Sequence, residues 1–275
     1  MKHRALDSAF LIRHTVILFF GILTVLPFFV LLSLSFKDST QFNLQRWSVT
    51  FPFHWENYDA AWQAIHVYIG NSFVISGVTV IGVLVISCLA AYPLARIHFF
   101  MKEKIYFLII ALLMIPFTLT MVPLFSLVIE FRILNSWLGL WGPYIASGQV
   151  FCIFVLRSFF SSLSEEMFEA ARVDGASEMR ILFSIVLPLS KAIIATLGVL
   201  NVLNTWNDYI WPVMVINDDR LMPLTIGLMV FQKQFTTDWG PLFAGYVIAS
   251  IPLLIMFIFA SKQFVEGLSS GSVKM

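Results

Sequence analysis

A chain of 275 residues that is 59% hydrophobic and only 12% charged lies far from a soluble domain, in which about a quarter of residues are charged. Its formal charge of +1 gives no electrostatic footprint for nucleic acid or for a strongly acidic partner. The two cysteines, Cys88 and Cys152, sit in long apolar runs, which argues against a disulfide scaffold and for small buried side chains.

In chain order, Lys2, Arg4 and Arg13 precede an apolar run at 15–36. That run is longer than a secretion-signal core and ends in Ser-Phe-Lys-Asp instead of a small-residue cleavage pattern, so it reads as a retained first span. A crossing helix needs about 20 apolar residues, and five more stretches supply them, at 69–92, 105–129, 140–156, 192–216 and 242–262. The prediction is an all-α polytopic membrane protein with six transmembrane helices. Placing the N-terminus inside puts twelve of the 17 lysines and arginines on the cytoplasmic side and leaves Lys37, Arg46, Arg132, Arg220 and Lys233 outside, so both termini are expected in the cytoplasm. The chain then divides into an N-terminal segment (1–14), a membrane body (15–262) that includes a cytoplasmic loop (157–191), and a C-terminal tail (263–275).

The first outer connection, 37–67, carries Trp47, Phe51, Trp55, Tyr58 and Trp62, which suit either an interfacial anchor or a ligand-reading surface. Pro27, Pro116, Pro123, Pro212 and Pro252 fall within spans and mark places where a helix can bend.

The inner loop is too charged to span, yet it is patterned as helix. Ser162 and Glu165 have capping-box spacing, and Ser164 is a second candidate cap. The helix they start carries Met167, Ala170, Ala171 and Val173, and Gly175 supplies its stop. A second short helix is expected over 177–187, ending against Pro188, with Ile181, Leu182, Ile185 and Val186 on one side. Ala170 and Ala171 permit close backbone approach, and Glu169 offers a carboxylate that an arginine could meet bidentately. These features describe either a docking surface or a capped surface loop.

In the fifth span Asn201, Asn204 and Asp208 recur at i, i+3 and i+7, with Asn207 beside them. Such groups line a path through the bundle or bond one helix to another; amide and carboxylate groups with Trp206 and Tyr209 nearby suit a sugar. There is no phosphate loop ending in Gly-Lys-Ser or Gly-Lys-Thr and no cysteine–histidine cluster. His3, His14, His54, His66 and His98 are scattered, so no catalytic residue, metal or cofactor is assigned to this chain.

The run Glu169-Ala170-Ala171, three residues, Gly175, nine residues, Ile185, one residue, Leu187-Pro188 resembles the cytoplasmic signature of permease subunits in bacterial ATP-binding-cassette importers. The segments Asn204-Thr-Trp206-Asn207-Asp208-Tyr209 and Asp238-Trp239-Gly240-Pro241 resemble the carbohydrate-uptake branch, in particular the second permease of maltose-type systems. The resemblance covers nearly the whole chain and implies a type I importer permease fold in the bacterial cytoplasmic membrane. It implies that Glu165, Glu166, Glu169, Ala170, Ala171, Asp174 and Gly175, with Leu187 and Pro188, couple the chain to an ATPase. It also implies that Asn201, Asn204, Trp206, Asn207, Asp208 and Tyr209 line the path or an inter-subunit face, and that Gly267, Ser270, Gly271 and Lys274 touch the ATPase from the tail. The implied partners are a second, homologous permease, two copies of an ATP-binding subunit that hold ATP and magnesium, and an extracytoplasmic sugar-binding protein. The cargo would be a di- or oligosaccharide, although glycerol-phosphate permeases resemble this branch too. The alternative is a self-sufficient secondary carrier with Asp208 as a relay, against which stand the signature itself and the lack of a second set of spans.

Overall fold

The computed structural model describes residues 8–235 and 238–272. All regular structure among them is helical, and the chain divides into two compact units.

The first unit contains α1 (Ser8–Ser35), α2 (Ser39–Leu44), the opening turns of α3 (Glu56–Arg96) and residues 228–252. In α1 the apolar side chains point outward on all sides, with none of its spanning window buried; only hydrocarbon or another apolar surface tolerates such a helix. After it, Asp38 caps α2: its Oδ1 accepts from the Gln41 amide at 2.7 Å, and the Gln41 side chain accepts from the Asp38 amide at 3.4 Å. Phe42 on α2 stacks on Trp239 with centroids 5.0 Å apart. Lys37, 1% exposed, donates to the carbonyls of Gln45, Arg46 (3.2 Å) and Ser48 (2.6 Å), and burial pulls its pKa below the usual lysine range. Its own carbonyl accepts from Asn57 Nδ2 at 3.0 Å. A Cβ at Gly240 would stand 2.2 Å from that carbonyl oxygen, so glycine in the Asp-Trp-Gly-Pro run is a demand of close backbone approach.

The predicted outer loop 37–67 is therefore shorter than expected. Tyr58 and Trp62 belong to α3, whose 41 residues begin at Glu56, because polar residues at its start do not prevent a helix that Glu56 and Asp59 favour from its first turn.

The second unit holds residues 67–227 and the chain from 253 onward. After α3 come α4 (Lys102–Ala111) with a 3₁₀ turn (Leu112–Met114), α5 (Phe117–Glu130), α6 (Leu138–Ser161), α7 (Glu165–Val173) and α8 (Glu178–Ile181). A π turn (Leu182–Val186) leads to α9 (Leu187–Leu189), followed by α10 (Lys191–Asn207), α11 (Ile210–Val215), the start of α12 (Leu224–Gln234) and the later turns of α13 (Trp239–Ser272). Helices α1, α3, α6 and α13 are each long and apolar enough to cross a membrane, and the count reaches six if two bent pairs each make one span.

One of those bends falls within the expected span 105–129, at Pro116, and the other just before the expected span 192–216. At 105–129 the chain turns by 99° between α4 and α5: Pro116 forces Ile115 out of the helical region, to φ −91° and ψ 110°. At 192–216 the helix stops at Asn207, and α10 also meets the preceding helical stretch at 78° through Ser190. The second inner helix does not end against Pro188. A π turn precedes the proline, and the chain continues helically through Leu189, an arrangement that absorbs the proline's missing donor and its clash with the preceding turn.

The core joins α3, α6, α7, α8 and α10 through Val83, Cys152, Leu156, Phe160, Phe168, Ile181 and Leu197. Small residues set the helix spacing. A Cβ on Gly227 would lie 2.2 Å from the Tyr68 ring and 2.8 Å from its Cβ, so rotating the ring cannot relieve the clash and α3 itself must shift. Gly227→Ala should therefore lower thermal stability by about 1–3 kcal/mol; an unchanged unfolding midpoint in detergent would contradict this packing.

Candidate coupling surface and translocation cleft

The inner loop folds much as its local signals direct. Helix α7 starts after Ser164 with Glu165 and Glu166 in its first turn, where carboxylates complement the helix dipole. The capping box is not formed: Ser162 Oγ donates to the Phe159 carbonyl at 2.8 Å, and Ser164 makes no side-chain cap. At the other end Gly175 has φ +78°. The Gly175 amide bonds the Arg172 carbonyl and the Ala176 amide bonds the Ala171 carbonyl, both at 3.0 Å, which is the Schellman pattern that glycine terminates without steric penalty.

One face of α7 enters the core through Phe168 and Ala171. The opposite face exposes Glu166, Glu169, Ala170, Val173 and Asp174, with Val173 87% exposed. Of the two expected small residues, only Ala170 therefore presents itself outward. An acidic helix face with an exposed valine at its end can accept a basic partner that also offers an apolar contact there. Leu187 and Pro188 are not part of this face; they belong to the bend that leads into α10.

A ring of side chains that the sequence did not reveal fixes α7 to α3. Arg96 donates to Glu165 at 2.5 Å, Glu165 also meets Arg172 at 3.4 Å, Arg172 meets Glu178 at 3.0 Å, and Tyr92 donates to Glu178 at 2.5 Å. Arg96 and Tyr92 stand one turn apart on α3, so the ring closes on that helix. Arg96 also donates to the carbonyls of Phe160 (2.9 Å) and Leu163 (2.5 Å) and lies 4.1 Å over the Phe168 ring. The residues at issue are separated by some seventy positions, as Arg96 and Glu165 are, and only the tertiary fold assembles them.

The polar residues near the end of α10 line a cleft of about 760 Å³ with Phe117, Tyr144, Ser147, Gly148 and Phe151. Asn201, Asn204, Asn207 and Asp208 all reach it. Trp206 and Tyr209 do not line it: Trp206 is buried edge-on against Phe73, 5.0 Å between centroids, and Tyr209 faces elsewhere. The aromatic faces of the cleft are instead those of Phe117, Tyr144 and Phe151. Tyr144 donates to Asp208 Oδ2 at 2.8 Å across 64 residues of sequence, while Asp208 Oδ1 accepts from the amides of Ile210 and Trp211 at 3.1 and 3.5 Å. The Asp208 carboxylate thus opens α11. Asn201 donates to the Leu197 carbonyl at 2.8 Å and to Cys152 Sγ at 3.2 Å. No cluster of possible metal ligands occurs among the described residues. Of the tail residues, Gly267, Ser270 and Gly271 fall within the backbone of α13, and Lys274 lies outside the described residues.

Residues 83–268 match the family model described as binding-protein-dependent transport system inner membrane component. The probable ABC transporter permease protein YurM of Bacillus subtilis is 38% identical over 243 residues, 87% of this chain and 80% of its own. The arabinooligosaccharides transport system permease protein AraQ of Halalkalibacterium halodurans is 33% identical over 264 residues, 93% of each chain. In fold, the chain matches a crystal structure of a bacterial ABC transporter involved in the import of the acidic polysaccharide alginate, with a TM-score of 0.78 at 20% identity over 96% of this chain and 99% of that one. The signature through Glu169 and Gly175, the apolar spans and these matches converge: the chain belongs to the inner membrane components of binding-protein-dependent transport systems.

Proposed function

We propose that this chain is one of two permease subunits of an ATP-driven importer that moves a sugar, in the size range of a di- or oligosaccharide, from an extracytoplasmic binding protein into the cytoplasm. The observation that carries the reading is the α7 face. It is acidic and exposed, ends in a Schellman turn at Gly175, is bonded to α3 at its start through Glu165 and Arg96, and is linked to α3 at its end through Arg172, Glu178 and Tyr92. Such a face suits a cleft on a separate ATP-binding subunit, with Glu169 meeting a basic residue there and Ala170 allowing close approach. Two such subunits hold ATP and magnesium, and their closure moves α7. Both termini then lie in the cytoplasm, and the C-terminal tail, through Gly267, Ser270, Gly271 and Lys274, meets the ATPase. Relatives named for arabinooligosaccharide transport and for diacetylchitobiose uptake support the cargo class.

Reconstitution into vesicles with the second permease, the ATPase and the binding protein tests the reading. Uptake should require ATP and the binding protein together; uptake by this chain alone, driven by an ion gradient, would overturn it in favour of a secondary carrier. Gly175→Val sharpens the test. A Cβ there meets nothing within 4 Å, so the cost is the left-handed backbone alone, about 1–2 kcal/mol, and the protein should still insert and assemble. The displaced turn should leave ATP hydrolysis running while uptake per ATP falls by about tenfold or more; normally coupled uptake would refute the role of the turn.

A further inference from the structure

The cleft near the end of α10 has a charge and donor balance that selects among cargoes. No lysine, arginine or histidine is among its lining residues. Its one ionisable carboxyl group is that of Asp208, and α10 ends at Asn207, on the cleft wall, with a backbone that turns away at Asp208 (ψ 132°). The end of a 17-residue helix adds partial negative charge.

Many of the hydrogen-bond donors of the cleft are spent on the protein itself, the Asn204 amide excepted. Tyr144 Oη gives its proton to Asp208, Asn201 gives its amide protons to Leu197 and Cys152, and Thr205 Oγ1 donates to the Asn201 carbonyl. Asn207 donates to the Leu203 carbonyl, and Ser147 to that of Pro143. The amides that open α11 already hold Asp208 Oδ1 and are closed to an anionic cargo. What the cleft offers a cargo is acceptors, including the carbonyl ends of Asn204 and Asn207, the amide protons of Asn204, and apolar ring faces, with the Asp208 carboxylate as its one full charge. A hydroxyl-rich solute can donate into such a surface, whereas a carboxylate or phosphate can only accept.

We infer that this cleft passes uncharged polyhydroxylated solutes and disfavours anionic ones, such as a phosphate ester or a uronate, with Asp208 as the residue that discriminates. The inference rests on the reading of the cleft as the translocation path. Two carboxylate-bearing partners within a few ångströms repel each other in a partly desolvated cleft far more strongly than in water. The cost is paid by no compensating cation on this chain, since none lines the cleft.

The test uses the complete importer in vesicles and reads the cleft potential directly. Asn207→Cys and, separately, Asn204→Cys place a thiol at an exposed lining position; the native Cys88 and Cys152 are buried, and the parent protein gives the background. Each variant is reacted with a cationic and an anionic methanethiosulfonate of similar size, and the rate ratio is normalised to that of a free thiol in the same buffer. The cationic reagent should be favoured by about tenfold or more at low salt, and the preference should shrink as ionic strength rises. Asp208→Asn should remove most of it. A preference for the anionic reagent, or a cationic preference untouched by both salt and Asp208→Asn, overturns the inference and leaves the importer reading standing. No reaction with either reagent at both positions would show a cleft without water and overturn the path itself, and with it the inference.

Discussion

Arg96→Ala should loosen α7 and disconnect ATP hydrolysis from uptake. The Arg96 side chain is 7% exposed and supports four contacts at once: the carbonyls of Phe160 and Leu163, the Glu165 carboxylate and the face of Phe168. Truncation strands two carbonyls and a carboxylate and removes the cation from a buried ring. Glu165 is 55% exposed, so the ion pair itself contributes about 1 kcal/mol or less; the two stranded, part-buried carbonyls add about 1–3 kcal/mol between them, and the loss falls on the joint between α7 and α3. The complex should assemble in reduced yield, the α7 amides should exchange hydrogen much faster than those of α6, and the remaining ATPase activity should drive little uptake. Arg96→Lys keeps the charge without the planar fork and should recover only part of the protection. Arg172→Ala should do less, because its side chain is 36% exposed and a solvated pair contributes about 1 kcal/mol or less. Wild-type exchange in α7 together with coupled uptake in Arg96→Ala would exclude Arg96 as the joint.

The contrast between these two arginines marks where sequence reasoning stops. Helix α7 and its glycine stop were legible because their signals are local: acids in the first turn, small and apolar residues at helical spacing, and a glycine where the backbone must turn left-handed. The spans were legible because a run of about 20 apolar residues has few other uses. Proline, by contrast, is read only in context. Pro27 and Pro252 sit inside continuous helices, whereas Pro116 stands at a 99° bend, because the outcome depends on whether the surroundings satisfy the freed carbonyls. The spacing of the polar residues in the fifth span predicts one helix running through Asp208. The helix ends one residue earlier, so Asp208 owes its position to α11 and Tyr144 instead of to the i+7 register. Trp206 has the composition of a sugar-stacking ring, yet its helical position turns it onto Phe73. Tyr144, which does line the cleft, carries no sequence signal beyond being a polar aromatic within an apolar run.

Lys37→Ala should open the segment between α2 and α3. Lysine is rarely buried without a counter-ion, yet Lys37 is enclosed with three backbone carbonyls as its partners and no carboxylate within ion-pair distance among the described residues. Those carbonyls follow the last turn of α2, where the helix leaves its own acceptors unpaired, and one ammonium with three donors meets all three. Alanine removes the donors and the packed methylene stem together. The acceptors belong to exposed residues that water can reach once the side chain is gone, so their loss costs less than that of fully buried groups and a destabilisation of about 2 kcal/mol is expected, concentrated in residues 38–55. Limited proteolysis of the purified protein should then cut in that interval at least several times faster than in the parent. Lys37→Met separates the two contributions, since it restores the stem but not the donors. If the carbonyl cluster is what holds the segment, methionine should be cleaved nearly as fast as alanine; protection equal to the parent's would mean that packing of the stem against its neighbours, and not the ammonium, fixes this part of the chain.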